Sequence, residues 1–232
     1  MKSLLLAAIF LTRLPLRVEQ PPELARAMPF FPVVGACIGA AVGLVYWLAH
    51  RWLPAWPAAL LALGGGILLT GALHEDGLAD CADGFGGGRD REDKLRIMRD
   101  SAIGSYGALA LILSVGLRVS AIAGVEHAWK ALIAAHCLSR AALPLAMHFL
   151  PPASHQGVAA AAGKPSPVEA GTALMIALLV AGLLSPVSII PAAVTSLLFG
   201  WYAWRQLGGH SGDVLGGMEQ LTEIAALLAA LA

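Results

Sequence analysis

Charge is what this chain has least of. Asp, Glu, Lys and Arg make up 13% of its 232 residues, well below the share in a soluble domain, while 58% are hydrophobic. That shortage excludes an ordinary water-soluble fold, and a mean hydropathy of +0.73 places the chain in a membrane. The charges also cancel, 15 basic against 15 acidic, and the basic residues form no uninterrupted run, so nucleic acid is not an expected partner. Cysteine is scarce too. Cys37, Cys81 and Cys137 are odd in number, far apart and in no zinc spacing, which predicts free thiols. Internal repeats and β-type alternation are absent, and the one linker-like stretch is 151–168.

Long apolar runs fill the rest. Crossing about 30 Å of hydrocarbon takes roughly 20 residues. The runs at 29–50, 57–73, 103–125, 129–150, 170–184, 187–204 and 214–232 predict an all-α, polytopic bundle of six or seven transmembrane helices. The 170–204 stretch reads as two helices broken at Ser185-Pro186 or as one kinked helix. Residues 1–11 resemble a signal peptide but lack a small-residue cleavage site, so they are expected to be retained; 4–11 is too short to span. Lys and Arg gather at Arg13, Arg17, Arg26, Arg89–Arg99, Lys164 and Arg205, against Arg51 and Lys130 alone on the other side. The positive side is expected to be cytoplasmic. Trp47, Trp52, Trp56, Trp129, Trp201 and Trp204 read as interfacial belts.

The scarce carboxylates are concentrated. Eight of the 15 (Glu75, Asp76, Asp80, Asp83, Asp90, Glu92, Asp93, Asp100) lie between Glu75 and Asp100. Asp76, Asp80 and Asp83 stand at i, i+4 and i+7, on one helical face, where like charges repel unless a cation sits among them. Hard oxygen donors suit Mg²⁺, with Mn²⁺ as the alternative. Gly84, Gly86, Gly87 and Gly88 follow; they allow positive φ and exposed N–H groups that wrap a phosphate, and Arg89 and Arg91 can grip its oxygens. From 89 to 100 the pairs Asp90/Lys94, Glu92/Arg96 and Arg96/Asp100, with an apolar stripe of Leu95, Met98 and Ala102, predict a salt-bridged surface helix. Ser101 reads as the cap of the next helix, and Asp100 as either a dipole partner or a further ligand.

A second glycine-rich segment spans 208–217, with His210, Ser211 and Asp213; Ser211 or Asp213 can cap the last helix. Inside that helix Gly216, Glu219, Gln220 and Glu223 share a stripe, and Arg140 lies inside another apolar helix. Such residues face a site or form an Arg–Glu pair between helices. His136, His148 and His155 read as ordinary polar residues, whereas His74 stands beside the acidic triplet.

The segments His74-Glu75-Asp76-Gly77-Leu78-Ala79-Asp80-Cys81-Ala82-Asp83-Gly84, Asp90 to Ser101, and Gly104-Ser105-Tyr106-Gly107 resemble the cobalamin synthase (adenosylcobinamide-GDP ribazoletransferase) family. Phe10-Leu11-Thr12-Arg13-Leu14-Pro15, Phe31-Pro32-Val33-Val34-Gly35 and Gly212-Asp213-Val214-Leu215-Gly216 fit it as well, so the resemblance covers nearly the whole chain. It implies a multi-pass enzyme of the bacterial cytoplasmic (inner) membrane. That enzyme joins adenosylcobinamide-GDP to α-ribazole or its 5′-phosphate and releases GMP, with Mg²⁺ and a cytoplasmic active-site segment at 74–102. The expected site has Glu75, Asp76, Asp80 and Asp83 on the metal, with Asp83, Asp100 and His74 as catalytic groups. Gly84, Gly87, Arg89, Arg91, Lys94, Ser101, Arg140, His210 and Asp213 are expected on substrate. The expected partners are the two substrates and the lipid bilayer; a homo-oligomer or a complex with other cobalamin-assembly enzymes is left open. Two alternatives are a CDP-alcohol phosphotransferase-like lipid enzyme, which Asp80-x-x-Asp83-Gly84 partly echoes, and a membrane transporter, which the intramembrane charges would suit.

Overall fold

The computed structural model describes residues 1–19, 21, 23–154 and 161–232; part of the 151–168 stretch, with His155, lies outside them. Among the described residues there are ten α-helices and no strand, with a single isolated bridge between Pro152 and His210. They are α1 (Lys2–Leu11), α2 (Phe31–Ala49), α3 (Ala55–Thr70), α4 (Leu73–Gly87) and α5 (Arg91–Ile97). Then follow α6 (Ser105–Gly124), α7 (Ala128–Phe149), α8 (Pro167–Leu184), α9 (Ile189–Leu207) and α10 (Gly212–Ala229). A 3₁₀ segment, Leu24–Phe30, runs straight into α2.

Five helical stretches are long and apolar enough to cross a membrane: Leu24–Ala49, α6, α7, α8 and the stretch Pro186–Leu207 that contains α9. A sixth is counted when α3 and α4, bent by 93° at their junction, are taken as one broken span. The last helix, expected to span, is not among the stretches apolar enough by composition. Asp213, Glu219 and Glu223 interrupt its apolar character, and most of its length is buried by its neighbours. The 170–204 stretch is two helices: α8 ends at Ser185, and Ser188 Oγ donates to Ala226 O (2.7 Å), tying the break to α10. All six Trp side chains stay about half exposed or more, as interfacial belts require.

α7 is the central post, flanked by α2, α8 and α10. Its contact with α2 is backbone to backbone, because a Cβ on Gly35 or Gly39 would strike the His136 or Leu132 carbonyl. Small residues at a crossing let helices meet by close van der Waals contact, the main attraction left when both sides are apolar. The bend between α3 and α4 is made by consecutive left-handed residues, Gly71 (φ 69°) and Ala72 (φ 57°). Arg13 closes over it: its N–H donates to Leu69 O (2.7 Å), and its side chain lies where a Cβ on Gly71 would be. The Thr12-Arg13-Leu14-Pro15 stretch is thus a brace that fixes where α4 begins.

Gly39→Ala is expected to lower stability by about 1–3 kcal/mol through overpacking against the α7 backbone. Gly64→Ala, where the added methyl meets nothing within 4 Å, serves as the control. Thermal unfolding in one detergent compares the two, and equal melting points would refute the close-contact account.

Candidate active site

α4 carries its acidic residues on two faces with different destinies. On one face Asp76, Asp80 and Asp213, the last from the start of α10, come close enough for Asp76 and Asp213 each to repel the Asp80 carboxylate. The two helices can approach this closely because Gly77 lies against Asp213 and Gly216, where any Cβ would meet backbone at about 3 Å. None of the three carboxylates is in an ion pair among the described residues. Three hard oxygen donors with no cation between them fit the donor set of a divalent metal.

Asp83 is committed elsewhere. Its Oδ2 accepts from Gly104 N–H (2.7 Å) and its Oδ1 from Gly107 N–H (2.9 Å). It therefore caps α6 from the neighbouring helix, satisfying amides that have no partner in their own helix. This displaces Ser101 from the expected cap: the helix starts at Ser105, and Ser101 is exposed. Asp100 is exposed as well and accepts from Ala102 N–H (3.1 Å), away from the carboxylate cluster.

Glu75, expected on the metal, points to the opposite side. Its Oε1 accepts from Arg118 Nη1 (3.0 Å) and Gln220 Nε2 (3.3 Å) within a closed polar cluster. Arg118 also reaches Glu223 (3.4 Å). Arg140, expected on substrate, is sealed in the same cluster: Nη1 donates to Glu223 Oε2 (2.6 Å) and pairs with Glu219. His136 Nδ1 lies 2.8 Å from Glu223 Oε2, and His74 Nδ1 lies 3.3 Å from Glu219 Oε2. His136, Glu219 and Glu223 offer donor atoms within 4.8 Å of one another, but the Arg140 guanidinium supplies the positive charge there. Arg118 is the residue sequence reasoning missed; a lone arginine inside the 103–125 run is its signal.

Above the cluster opens a cavity of about 530 Å³. His74, Asp76, Arg99, Ser154, Ser211 and Asp213 line its polar part. Arg99 Nη2 donates to Ser154 Oγ (3.1 Å), and Ser211 Oγ accepts from Val214 N–H (3.1 Å), capping α10. His74 thus joins the two regions, its ring between the cavity and Glu219.

Other expected substrate ligands hold the scaffold instead. Arg91 donates from Nε to Leu207 O (2.8 Å) and from Nη2 to Ala153 O (2.6 Å), and Lys94 bonds Gln206. His210 is buried and its backbone pairs with Pro151 and Ala153; burial lowers its pKa. Gly84 and Gly87 belong to α4 itself and have ordinary φ, so the expected phosphate loop is helix. Gly84 makes room for Met98. Arg89 is exposed beside a short α5, where the expected i,i+4 ladder is replaced by one Arg96–Asp93 pair (2.6 Å). That hydrogen bond holds the Asp93 carboxyl below its usual range.

The model of the family described as cobalamin-5-phosphate synthase matches residues 3–231. The chain belongs to the cobalamin-5-phosphate synthase family. Among its relatives, the adenosylcobinamide-GDP ribazoletransferase of Bradyrhizobium diazoefficiens is 48% identical over 243 residues, covering 99% of this chain and 93% of that protein. Proteins of the same name from a Sinorhizobium species (45%, covering 94% and 91%) and Azorhizobium caulinodans (46%, covering 91% and 86%) are similar. No solved structure matches. Family membership makes the chain a transferase of cobalamin synthesis, and its apolar helices make it a multi-pass membrane protein.

Removing one side of a buried ion pair leaves the other charge uncompensated, at a cost of about 3–5 kcal/mol. Arg118→Leu is therefore expected to destabilise the bundle by about that much, and Glu75→Leu added to it to recover a large part. Denaturation of the single and double variants in matched micelles tests this. Additive losses would mean that the pair is not coupled.

Proposed function

We propose that the chain joins adenosylcobinamide-GDP to α-ribazole or its 5′-phosphate and releases GMP, with the site at the cytoplasmic face of the bacterial inner membrane. The observation that carries this reading is the Asp76/Asp80/Asp213 set, in no ion pair among the described residues, of which Asp76 and Asp213 line a cavity that also offers His74 and Arg99. A hydroxyl of the nucleoside attacks the corrinoid-side phosphorus. The new P–O bond forms as the P–O–P bridge breaks, and GMP leaves with the other phosphate. Mg²⁺, or Mn²⁺, held by Asp76, Asp80 and Asp213 would neutralise charge on the diphosphate oxygens.

The chain's own residues do the rest. Arg99 supplies the fixed positive charge at the cavity, and its bond to Ser154 sets the orientation of the guanidinium. His74 is read as the group that accepts the proton of the attacking hydroxyl; it lines the cavity, and its Nδ1 lies 3.3 Å from Glu219 Oε2. Asp83 acts at one remove, since its two amide bonds fix the start of α6 against α4. The site lies on the side rich in Lys and Arg, which supports a cytoplasmic orientation.

Purified protein in lipid, given both substrates and Mg²⁺, is expected to release GMP. Chelation should stop the release and added Mg²⁺ restore it. Asp80→Asn and Asp213→Asn are expected to abolish the metal-dependent rate, whereas folded Glu75→Gln should keep the wild-type Mg²⁺ half-saturation. His74→Gln is expected to cut kcat by about 10²–10⁴. A Glu75→Gln variant with lost metal affinity would move the metal to the other face of α4.

A further inference from the structure

The polar groups account for only part of the cavity. Its inner wall is Phe10, Met28, Phe31, Leu143, Met147 and Leu215. Phe10 and Phe31 stack with centroids 5.6 Å apart and planes 10° apart, and Met28 and Phe31 are each 1% exposed. This wall carries no side-chain hydrogen-bonding group, yet it is continuous with Asp76, Asp213 and Arg99. A transferase of two substrates must seat four chemical pieces near its metal: a corrin, a guanine, a sugar–phosphate portion and the nucleoside's lower-ligand base.

Chemistry separates them. Guanine presents a polar edge whose donors and acceptors would be desolvated without partners on this wall, which is costly. The corrin, fringed with amides, is too large for 530 Å³. A bicyclic, methyl-bearing benzimidazole is flat and almost wholly apolar, and a nucleoside is of the size such pockets hold. Met28 and Met147 back this wall, 1% and 4% exposed, as flexible, polarizable side chains that can yield to an entering aromatic ring.

We infer that the Phe10/Met28/Phe31/Leu143/Met147 pocket is the subsite for the aromatic base of the nucleoside substrate, and that it sets which bases are accepted. The base enters edge-on past Asp76 and Asp213, which leaves its ribose at the polar mouth beside His74. This placement rests on the transferase reading above. The two methionines make the fit tolerant in shape, so base selection here is graded by size.

Two measurements on the full chain in nanodiscs separate the pocket from the reaction. Calorimetric titration with α-ribazole alone reads binding without chemistry, and steady-state GMP release reads turnover. Met147→Trp, which fills the pocket, is expected to weaken α-ribazole at least tenfold in both Kd and KM. The KM for adenosylcobinamide-GDP should stay within twofold. Met147→Ala, which enlarges the pocket, is expected to shift preference toward nucleosides with larger bases. Both variants are first matched to wild type in thermal unfolding, and Leu143→Trp replaces the first if it fails to fold. Unchanged α-ribazole binding in the filled variant would overturn the assignment, as would a rise in the corrinoid KM instead; either would hand the cavity to the other substrate or to a lipid chain. Wild-type protein that binds α-ribazole in this pocket but never releases GMP would sink the transferase reading and leave the subsite standing.

Discussion

Two guanidinium groups buried among three carboxylates hold this bundle together. Arg118 and Arg140 come from two apolar helices, Glu219 and Glu223 from a third, and Glu75 from the broken one. No charge of this kind can sit alone in hydrocarbon, so each helix is obliged to meet the others at one depth and one rotation. The crossing of α4 over α10 at Gly77 and Gly216 follows from that obligation, because Gln220 and Glu219 must reach Glu75 and His74. Apolar packing alone would let such helices slide or rotate. The ionic cluster removes that freedom.

The same cluster makes the surface above it chemically asymmetric. With Glu75 drawn inward to Arg118, the opposite face of α4 is left with Asp76 and Asp80 and no basic partner. Asp213 arrives because α10 is anchored one turn and a half further down by Glu219. Repulsion among these three is a standing cost that the ionic cluster and the Asp83–α6 bonds offset. A divalent cation held there, as proposed, would turn that cost into an attraction.

Much of this was legible in the chain. The apolar runs gave the helices, Asp76 and Asp80 gave one face of α4, and carboxylates inside an apolar stripe, with Arg140, left an Arg–Glu contact as one of two readings, the other being the substrate site that the structure does not bear out. Residue types and spacings carry such information because they act locally. What was not legible depends on rotation and distance between helices. Glu75 and Asp76 are neighbours in sequence but stand 100° apart around α4, so one is buried in an ion pair while the other lines the cavity. Asp83 matches Asp80 in spacing yet is taken by amides from α6, a partner 21 residues away. The glycines at 84–88 suggested a loop, but contacts from Met98, Lys94 and Tyr106 make them places where a helix is approached closely. Arg91 and Lys94 looked like phosphate ligands because a sequence does not show which backbone carbonyls will take up Arg91, or that the Gln206 side chain will take up Lys94.

Like-charged aspartates held close together need a frame that resists their repulsion, and a helix bundle locked by buried ion pairs is such a frame. The cavity combines two things at once: an apolar wall and a polar mouth. A bundle whose α1, α2 and α7 side chains continue the hydrocarbon environment inward supplies the first, and the polar edge at Arg99 and Ser154 supplies the second. The charge count adds one more constraint. Three carboxylates stand against two guanidinium groups, and His74 and His136 are the neutral-capable neighbours that face Glu219 and Glu223. His74 is the member of that group that also lines the cavity, so the buried cluster and the candidate site meet at one imidazole.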